Sequence, residues 1–319
     1  MVLGYCLPGA RLTERSLSSC SEPTLGLAAA LGAFLIWGVL PVYFHLMGPS
    51  VSPWEILAHR ILWTSGLLGV VVVLLRRTHR VRAVFVNRRL LAMLALSAAL
   101  VAANWGTFIW AVVNDHVIEA SLGYYINPLL NVALGFLVLG ERLRRLQWVA
   151  VVIAATGVVC SVAAYGQVPW IGLILAGCFG FYGLIRKRLA VDSITGLLVE
   201  TLLLSPIALV GLGWLYSHGN AAFGLAGART DVLLIGAGVL TILPFTLFAA
   251  GARRLQLGTV GVIQYLTPTL HFLTGVLLFH EPLTPADIST FTCIWLALGI
   301  YTLDIVRSQR ERREASRNT

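Results

Sequence analysis

Long apolar runs follow one another along almost the whole chain, with only short polar breaks between them. A helix that spans a lipid bilayer needs about 20 predominantly apolar residues, and the runs reach that length repeatedly. Ten spans are predicted, near residues 25–46, 54–75, 90–113, 119–140, 146–164, 168–185, 194–216, 231–252, 258–280 and 287–306. The pattern predicts an all-α membrane protein with ten transmembrane helices, in which the break after residue 113 is the least distinct.

The composition supports a lipid environment and excludes several other classes of protein. Charged residues make up only 12% of the chain, about half of the 25% typical of soluble domains. The net charge of +9 does not indicate nucleic-acid binding, because the cations lie in short clusters between apolar runs rather than on one face beside aromatic residues. Enzyme motifs are absent, and neither the five cysteines nor the seven histidines have the spacing of metal ligands. No enzyme activity, metal, cofactor or nucleic-acid partner is predicted.

The basic clusters predict the orientation of the spans. With the N-terminus inside, every lysine and arginine except Arg60 and Arg229 lies in a segment on the cytoplasmic side, as the positive-inside rule requires. Both termini are therefore expected in the cytoplasm, with a basic tail at 308–319. Residues 1–23 are interpreted as a disordered tail, or an overcalled start, rather than a signal peptide, because charged residues interrupt the apolar segment that a signal peptide needs.

The two halves of the chain are related by a shift of 140 residues. This shift places residues 125–135 over residues 265–275, and it aligns Pro128 with Pro268. We therefore divide the membrane part into a first repeat at 24–165 and a second repeat at 166–307. Each repeat contains five spans, and because five is odd the second must be inserted upside down. Inverted repeats are typical of secondary transporters, whose binding sites lie near the bilayer midplane where the repeats meet.

Polar side chains form a stripe on the fourth predicted span and an equivalent stripe on the ninth. The stripes are Tyr124, Asn127 and Asn131 on the fourth span, and Gln264, Thr267 and His271, with Tyr265 beside them, on the ninth. Pro128 and Pro268 are expected to kink these helices and to free backbone carbonyls beside a wet cavity. We expect the stripes to face each other across a path for a small-molecule substrate. The alternative is that these groups hydrogen-bond between packed helices.

Four further residues in the middle of spans are candidates for the wall of the same cavity. Asn104 and Trp105 lie midway along the third span, while Trp37 and Tyr182 lie on the first and sixth. Aromatic side chains would contact the apolar part of a ligand, although aromatic residues at this depth can also be ordinary core.

Charged residues inside the membrane are costly and often functional. Arg60 and Glu200 occupy equivalent repeat positions, but they lie at different depths, so we do not expect them to pair. Glu119 and Glu55 are the expected partners of Arg60 near the outer face, and Glu200 is expected near the level of the basic cluster at 186–188. Each of these groups either forms a fixed ion pair or acts as a gate or proton site.

Several segments resemble a known family. The stretch EASLGYYINPLLNVALGFLVLGERLRRLQWVAVV at 119–152 resembles the RarD branch of the EamA-type permeases, within the drug/metabolite transporter superfamily. The segments FLIWGVLPVYF at 34–44, FYGLIRKRLAV at 181–191, TGLLVET at 195–201 and QYLTPTL at 264–270 fit the same family. The resemblance extends over about residues 25–307, and the block at 119–148 distinguishes this branch from other EamA permeases.

The resemblance implies ten helices in two inverted EamA repeats, a bacterial plasma membrane location and permease activity. It also implies a central cavity lined by the first, third, fourth, sixth, eighth and ninth helices. Export of metabolites or drug-like molecules by alternating access is the expectation. The transport is either coupled to proton exchange through Glu200 or an uncoupled, facilitated flux. The name of the branch refers to chloramphenicol sensitivity, which does not establish a substrate. A non-transporting membrane scaffold or sensor is the alternative, and no oligomeric state is predicted.

Overall fold

The structure, a computed structural model, is helical over nearly all the residues that it describes. These residues are 22–48, 51–139, 144–165, 168–252, 254–255, 260 and 263–315, and they contain no strand. The all-α fold predicted from the apolar runs is confirmed. The predicted tail at 1–23 lies outside the described residues except for its last two positions, and residues 308–315 of the basic tail continue the last helix.

The helices have the following bounds in chain order. They are α1 (Glu22–Gly38), α2 (Leu40–His45), α3 (Pro53–Leu74), α4 (Thr78–Val86), α5 (Arg88–Val113), α6 (Val117–Leu139), α7 (Arg145–Tyr165), α8 (Trp170–Arg188), α9 (Ser193–Ser217), α10 (Ala228–Ala252), α11 (Leu266–Leu273), a π-helix (Thr274–Leu278) and α12 (Pro285–Ala315).

Six helical segments of the described chain are long and apolar enough to cross a membrane. They are Thr24–His45, Pro53–Leu74, Arg88–Val113, Ser193–Ser217, Ala228–Gly251 and Pro285–Asp304, and shorter apolar helices lie at Arg145–Cys160, Trp170–Arg186 and Leu266–Leu278. Large apolar side chains such as Val210 and Leu74 point outward on these helices. Contiguous apolar surface of this extent is rare on soluble proteins, so the chain is an integral membrane protein.

Two helix starts on the predicted cytoplasmic side follow directly from the sequence. The Asn87 side chain accepts hydrogen bonds from the backbone N–H groups of Arg89 and Leu90, each at 3.1 Å. The Asp192 side chain accepts from the N–H of Thr195 at 3.1 Å. Asn and Asp are favoured N-cap residues because they satisfy otherwise unpaired N–H groups. These caps fix where α5 and α9 enter the bundle.

The helices pack around a central region where the two halves of the chain meet. α1 contacts α10, which also contacts α3, and α8 contacts α5, which also contacts α9. α6 lies between α8 and α11, while α3 packs on α9 and α7 packs on α12. Buried apolar residues such as Phe44, Phe108 and Leu234 form one of the cores. The polar residues of α6 and α11 lie next to this core.

The ninth predicted span differs in form from an uninterrupted helix. α11 begins at Leu266, so Pro268 is its third residue, and a π-helix follows from Thr274. The first N–H groups of a helix have no intrahelical partner, so a proline is tolerated there. Pro268 therefore lies in the first turn of a helical segment that follows a backbone turn at Gln264 and Tyr265, and the kink at this proline stays a prediction. Pro128, in contrast, lies inside α6.

Candidate functional site

A cavity of about 130 Å³ lies at the centre of the bundle. Its walls come from α1, α2, α3, α5, α6, α8 and the segment that includes α11. The lining residues are Phe34, Trp37, Leu40, Arg60, Asn104, Trp105, Phe108, Tyr124, Asn127, Phe179, Gln264, Thr267, Pro268 and His271. The eighth predicted helix was expected in this wall, but α10, which corresponds to it, contributes no lining residue among those that the structure describes. The second predicted helix was not expected there, but α3, which corresponds to it, lines the cavity through Arg60.

The two polar stripes lie in the wall of this one cavity. Tyr124 and Asn127 of α6 line it, as do Gln264, Thr267 and His271 from the segment around α11. The ring centroids of Tyr124 and His271 are 5.6 Å apart, which brings the stripes into direct contact. The side chain of Asn131 lies outside the part of the chain that the structure describes.

Hydrogen bonds to neighbouring helices orient several of these side chains. The Thr267 hydroxyl donates to the carbonyl of Phe34 at 2.9 Å, and Nε2 of His271 lies 3.0 Å from the carbonyl of Trp37. The Asn104 amide donates to the carbonyl of Leu175 at 3.0 Å. The Tyr124 hydroxyl donates to Oδ1 of Asn104 at 3.4 Å. Part of each stripe therefore does join packed helices, as the alternative interpretation expected.

Three polar atoms in the cavity wall are buried and have no hydrogen-bond partner among the described residues. They are Nη1 of Arg60, Oδ1 of Asn127 and Nδ1 of His271, on side chains of residues that are 3%, 6% and 2% exposed. Because Nε2 of His271 faces a carbonyl, it carries the hydrogen, and Nδ1 of the neutral ring is an acceptor. An unsatisfied buried polar group costs about 1–3 kcal/mol, so the cavity favours water or a polar ligand.

Arg60 is held by contacts that were not expected from the sequence. Its Nε donates to Oγ1 of Thr241 at 2.8 Å. Its guanidinium carbon lies 4.1 Å from the centre of the Trp105 ring and 5.8 Å from that of Phe44. These contacts hold the cation in a wall that is otherwise rich in aromatic rings.

The prediction that Arg60 pairs with Glu119 or Glu55 is wrong. Glu119 accepts a hydrogen bond from the backbone N–H of Ile171 at 3.0 Å, at the start of α8. Glu55 accepts from the N–H groups of Ala222 and Phe223, at 2.9 Å each, in the loop before α10. Both carboxylates thus satisfy backbone donors at one end of the bundle. Pairing with Arg60 was expected because both glutamates lie near the outer face, but depth along a helix does not show which donors a carboxylate binds.

Glu200 lies outside the cavity, in a separate buried cluster. It is fully buried, it accepts hydrogen bonds from the Ser97 hydroxyl and, at 3.4 Å, from the Tyr182 hydroxyl, and Nη1 of Arg186 lies 3.6 Å from its Oε1. The expected proximity to the 186–188 cluster is confirmed. Tyr182 was predicted to line the cavity, and this is wrong because its hydroxyl faces Glu200. Phe179, one turn earlier on α8, lines the cavity instead.

Tyr265 also turns away from the cavity, contrary to prediction. Its ring lies 6.5 Å from that of Tyr125, against a core formed by α6, α7 and α12. Sequence reasoning missed Phe34, Leu40, Phe108 and Phe179 as lining residues. Phe108 lies four residues after Asn104, so helical spacing could have identified it. The residues that the structure describes contain no group of three histidine, cysteine, aspartate or glutamate side chains that could hold a metal ion.

Comparison with known proteins identifies the family. Residues 24–163 match the EamA-like transporter family. RarD of Escherichia coli is 42% identical over 285 residues, which cover 89% of this chain and 96% of that protein. The chain belongs to the RarD-type EamA permeases. An uncharacterized transporter of Vibrio cholerae is 44% identical over 91% of this chain and 96% of its own length. A chloramphenicol-sensitive RarD protein of Pseudomonas aeruginosa is 35% identical over 90% and 96%.

A solved crystal structure has the same fold as this RarD-type chain. It superimposes with a TM-score of 0.54 at 18% sequence identity, and the match covers 87% of this chain and 97% of the other. At this identity the similarity concerns the fold alone. The family match and the named relatives, not this structure, make the RarD-type chain an integral bacterial membrane transporter and not an enzyme.

Proposed function

We propose that this RarD-type chain moves small metabolites or drug-like molecules through its central cavity by alternating access. The observation that carries the proposal is the set of three buried, unpartnered polar atoms on Arg60, Asn127 and His271, which all line one hollow. Asn127 belongs to the polar stripe of the first repeat, and His271 belongs to the equivalent stripe of the second repeat. A solute in the cavity would satisfy groups that packing leaves unpaired.

The proposal includes ten membrane helices arranged as two inverted repeats, at 24–165 and 166–307. In this scheme α1, α3, α5, α6 and α7 correspond in order to α8, α9, α10, α11 and α12. The contact of α1 with α10 then matches that of α8 with α5, and the contact of α1 with α11 matches that of α8 with α6. The pairs α3–α9 and α7–α12 each map onto themselves. Such two-fold pairing supports rocking of one half against the other.

We take the basic end of the bundle as cytoplasmic, with both termini on that side. A second hollow of about 280 Å³ lies at this end, and Arg77, Arg80 and Arg254 contribute to its wall. Phe245 also lines it, and its ring centroid lies 5.3 Å from that of Trp37, which lines the central cavity. An aromatic contact therefore separates the two hollows, which supports a closed inner gate.

Export is the expected direction, with proton exchange through Glu200 as one form of coupling. The Pseudomonas relative is named for chloramphenicol sensitivity, so chloramphenicol belongs among the compounds to be tested. The direction of transport is expected from the family, whereas the cavity supports only the proposal that the chain transports a solute.

A flux experiment with a cavity-filling variant tests this function. Metabolite profiles of cells that overproduce the chain would nominate solutes, and counterflow into proteoliposomes would then compare wild type with Asn127→Phe. The control, Leu137→Phe, places a similar ring on the same helix at a position 73% exposed. Loss of flux in Asn127→Phe alone supports the proposal. Unchanged flux in folded Asn127→Phe contradicts it, and a wild type that carries none of the solutes favours a scaffold or sensor.

A further inference from the structure

Arg60 is the only charged residue in the cavity wall that the structure describes, apart from the titratable His271. The ion pairs Arg80–Asp192, Arg144–Asp304 and Arg186–Glu200 of the described residues do not include Arg60. The nearest predicted counter-ions, Glu55 and Glu119, are bound to backbone N–H groups instead. The cavity therefore contains a positive charge with no carboxylate beside it.

A buried cation without a counter-ion is costly, and an anion that enters the cavity would offset that cost. The guanidinium group is a planar fork that binds carboxylates through two parallel hydrogen bonds. In this chain Thr241 occupies Nε and Trp105 lies against the guanidinium carbon, while Nη1 has no partner in the described part of the chain. The guanidinium is thus oriented by the protein but keeps a free donor.

The remaining groups of the cavity suggest the other parts of the ligand. Oδ1 of Asn127 and Nδ1 of neutral His271 are acceptors without donors, so they would suit a hydroxyl or N–H group. Phe34, Trp37 and Phe108 supply aromatic walls that would contact an apolar part. A volume of about 130 Å³ restricts the ligand to a small molecule.

We propose that this cavity binds a small organic carboxylate, with the carboxylate on Arg60 and a hydrogen-bond donor of the ligand facing Asn127 and His271. The inference rests on the proposed function, because it takes the central cavity as the site of the transported solute. It adds the chemical class of that solute and identifies Arg60 as the residue that determines specificity.

A comparison of acids with their amides tests the class of ligand. Full-length protein in lipid nanodiscs would be titrated with lactate, phenyllactate and indolelactate and with the three corresponding amides, in which a neutral amide of similar size replaces the charged carboxylate. Thermal unfolding would report binding of every compound, and tryptophan fluorescence would report binding of the lactate and phenyllactate pairs, since Trp105 lies against the guanidinium. We expect at least one acid to bind tenfold more tightly than its amide. An outcome in which no acid binds more tightly than its amide overturns the proposal, and this comparison needs no variant.

Variants then assign the preference to Arg60. Arg60→Met should remove the difference between acid and amide, and Arg60→Lys should restore part of it, because lysine keeps the charge but lacks the fork. Arg89→Met removes an exposed arginine from the start of α5 and should leave the preference unchanged. A preference that persists in folded Arg60→Met overturns the assignment to this residue.

Flux measurements on the same compounds separate this inference from the proposed function. If wild-type proteoliposomes carry acids and amides equally, the carboxylate site is contradicted while the permease stands. If acids bind in an Arg60-dependent manner but no compound is carried, the permease is contradicted while the carboxylate site stands.

Discussion

The guanidinium carbon of Arg60 lies 4.1 Å from the centre of the Trp105 ring. This contact joins α3 to α5 at the cavity wall, and it places an aromatic face where a carboxylate was expected. A desolvated cation–π contact contributes about 2 kcal/mol. The ring therefore stabilises the cation without neutralising it, which leaves the charge available to a ligand.

A double-mutant cycle should reveal this contact. The free energy of unfolding would be measured for wild type, Arg60→Met, Trp105→Leu and the double variant. We expect a coupling energy of about 1–2 kcal/mol between the two residues. Trp110→Leu, which changes a partly exposed ring on the same helix, should couple to Arg60→Met by less than about 0.5 kcal/mol. Equal coupling for the two tryptophans would contradict the contact.

The ion pair between Glu200 and Arg186 should stabilise the folded protein. Glu200→Gln leaves the guanidinium of Arg186 without its carboxylate, and the expected loss of unfolding free energy is roughly 3 kcal/mol. Adding Arg186→Met should restore part of that loss, because no uncompensated charge then remains. If adding Arg186→Met lowers the free energy of unfolding further, the ion pair is not what stabilises this cluster.

The same substitution tests proton coupling. Uptake by proteoliposomes with and without a proton gradient should lose its gradient dependence in Glu200→Gln, because the glutamine side chain cannot take up a proton. Arg60→Lys serves as the comparison, since it should alter the amount of flux but not its response to the gradient. Coupling that is unchanged in Glu200→Gln would remove Glu200 from the mechanism.

Close packing of α6 on α8 should be sensitive to one methyl group. A Cβ atom at Gly123 would lie 2.6 Å from the carbonyl oxygen of Gly172, and backbone atoms on both sides leave little room to adjust. Gly123→Ala should therefore reduce the free energy of unfolding by about 1–3 kcal/mol. Gly177→Ala, at a position on α8 with nothing within 4 Å, should be neutral or stabilising. Equal effects would contradict this packing.

The carboxylate of Glu281 should protect the start of α6. It accepts hydrogen bonds from the backbone N–H groups of Val117 and Ile118, at 2.7 and 2.8 Å. Glu281→Ala leaves these buried donors unpaired, at a cost of about 1–3 kcal/mol. Hydrogen exchange should accelerate at these two amides while that of Ala226, which donates to a backbone carbonyl, is unchanged. Unaltered exchange at Val117 would refute this role.

Repetition within the sequence made the cavity partly predictable. The shift of 140 residues related Asn127 to Thr267, and helical spacing placed Tyr124 and His271 on the same faces. A polar side chain on an apolar membrane helix avoids lipid. When such side chains recur at equivalent positions of both repeats, they are expected to face the same interior. The two stripes could therefore be located from the sequence alone.

Contacts that depend on helix rotation and on backbone donors could not be predicted in this way. Depth along α3 suggested carboxylate partners for Arg60, but the rotation of the helix directs Nε to Thr241 on α10. The carboxylates of Glu55 and Glu119 were satisfied by N–H groups of distant segments, which no spacing in the sequence indicates. Tyr182 lies about one turn beyond Phe179, which lines the cavity, and the sequence does not show which of the two rings on α8 faces it.

Accessibility of a single cysteine in the cavity tests the proposed alternating access most directly. The five native cysteines would be replaced by serine, and Asn127→Cys would be treated with a membrane-impermeant thiol reagent in vesicles of each orientation. Leu137→Cys, on the exposed face of the same helix, would serve as the control that reacts from neither side. We predict that Asn127→Cys reacts from both sides of the membrane. Reaction from one side only, or from neither, would contradict alternating access through this cavity.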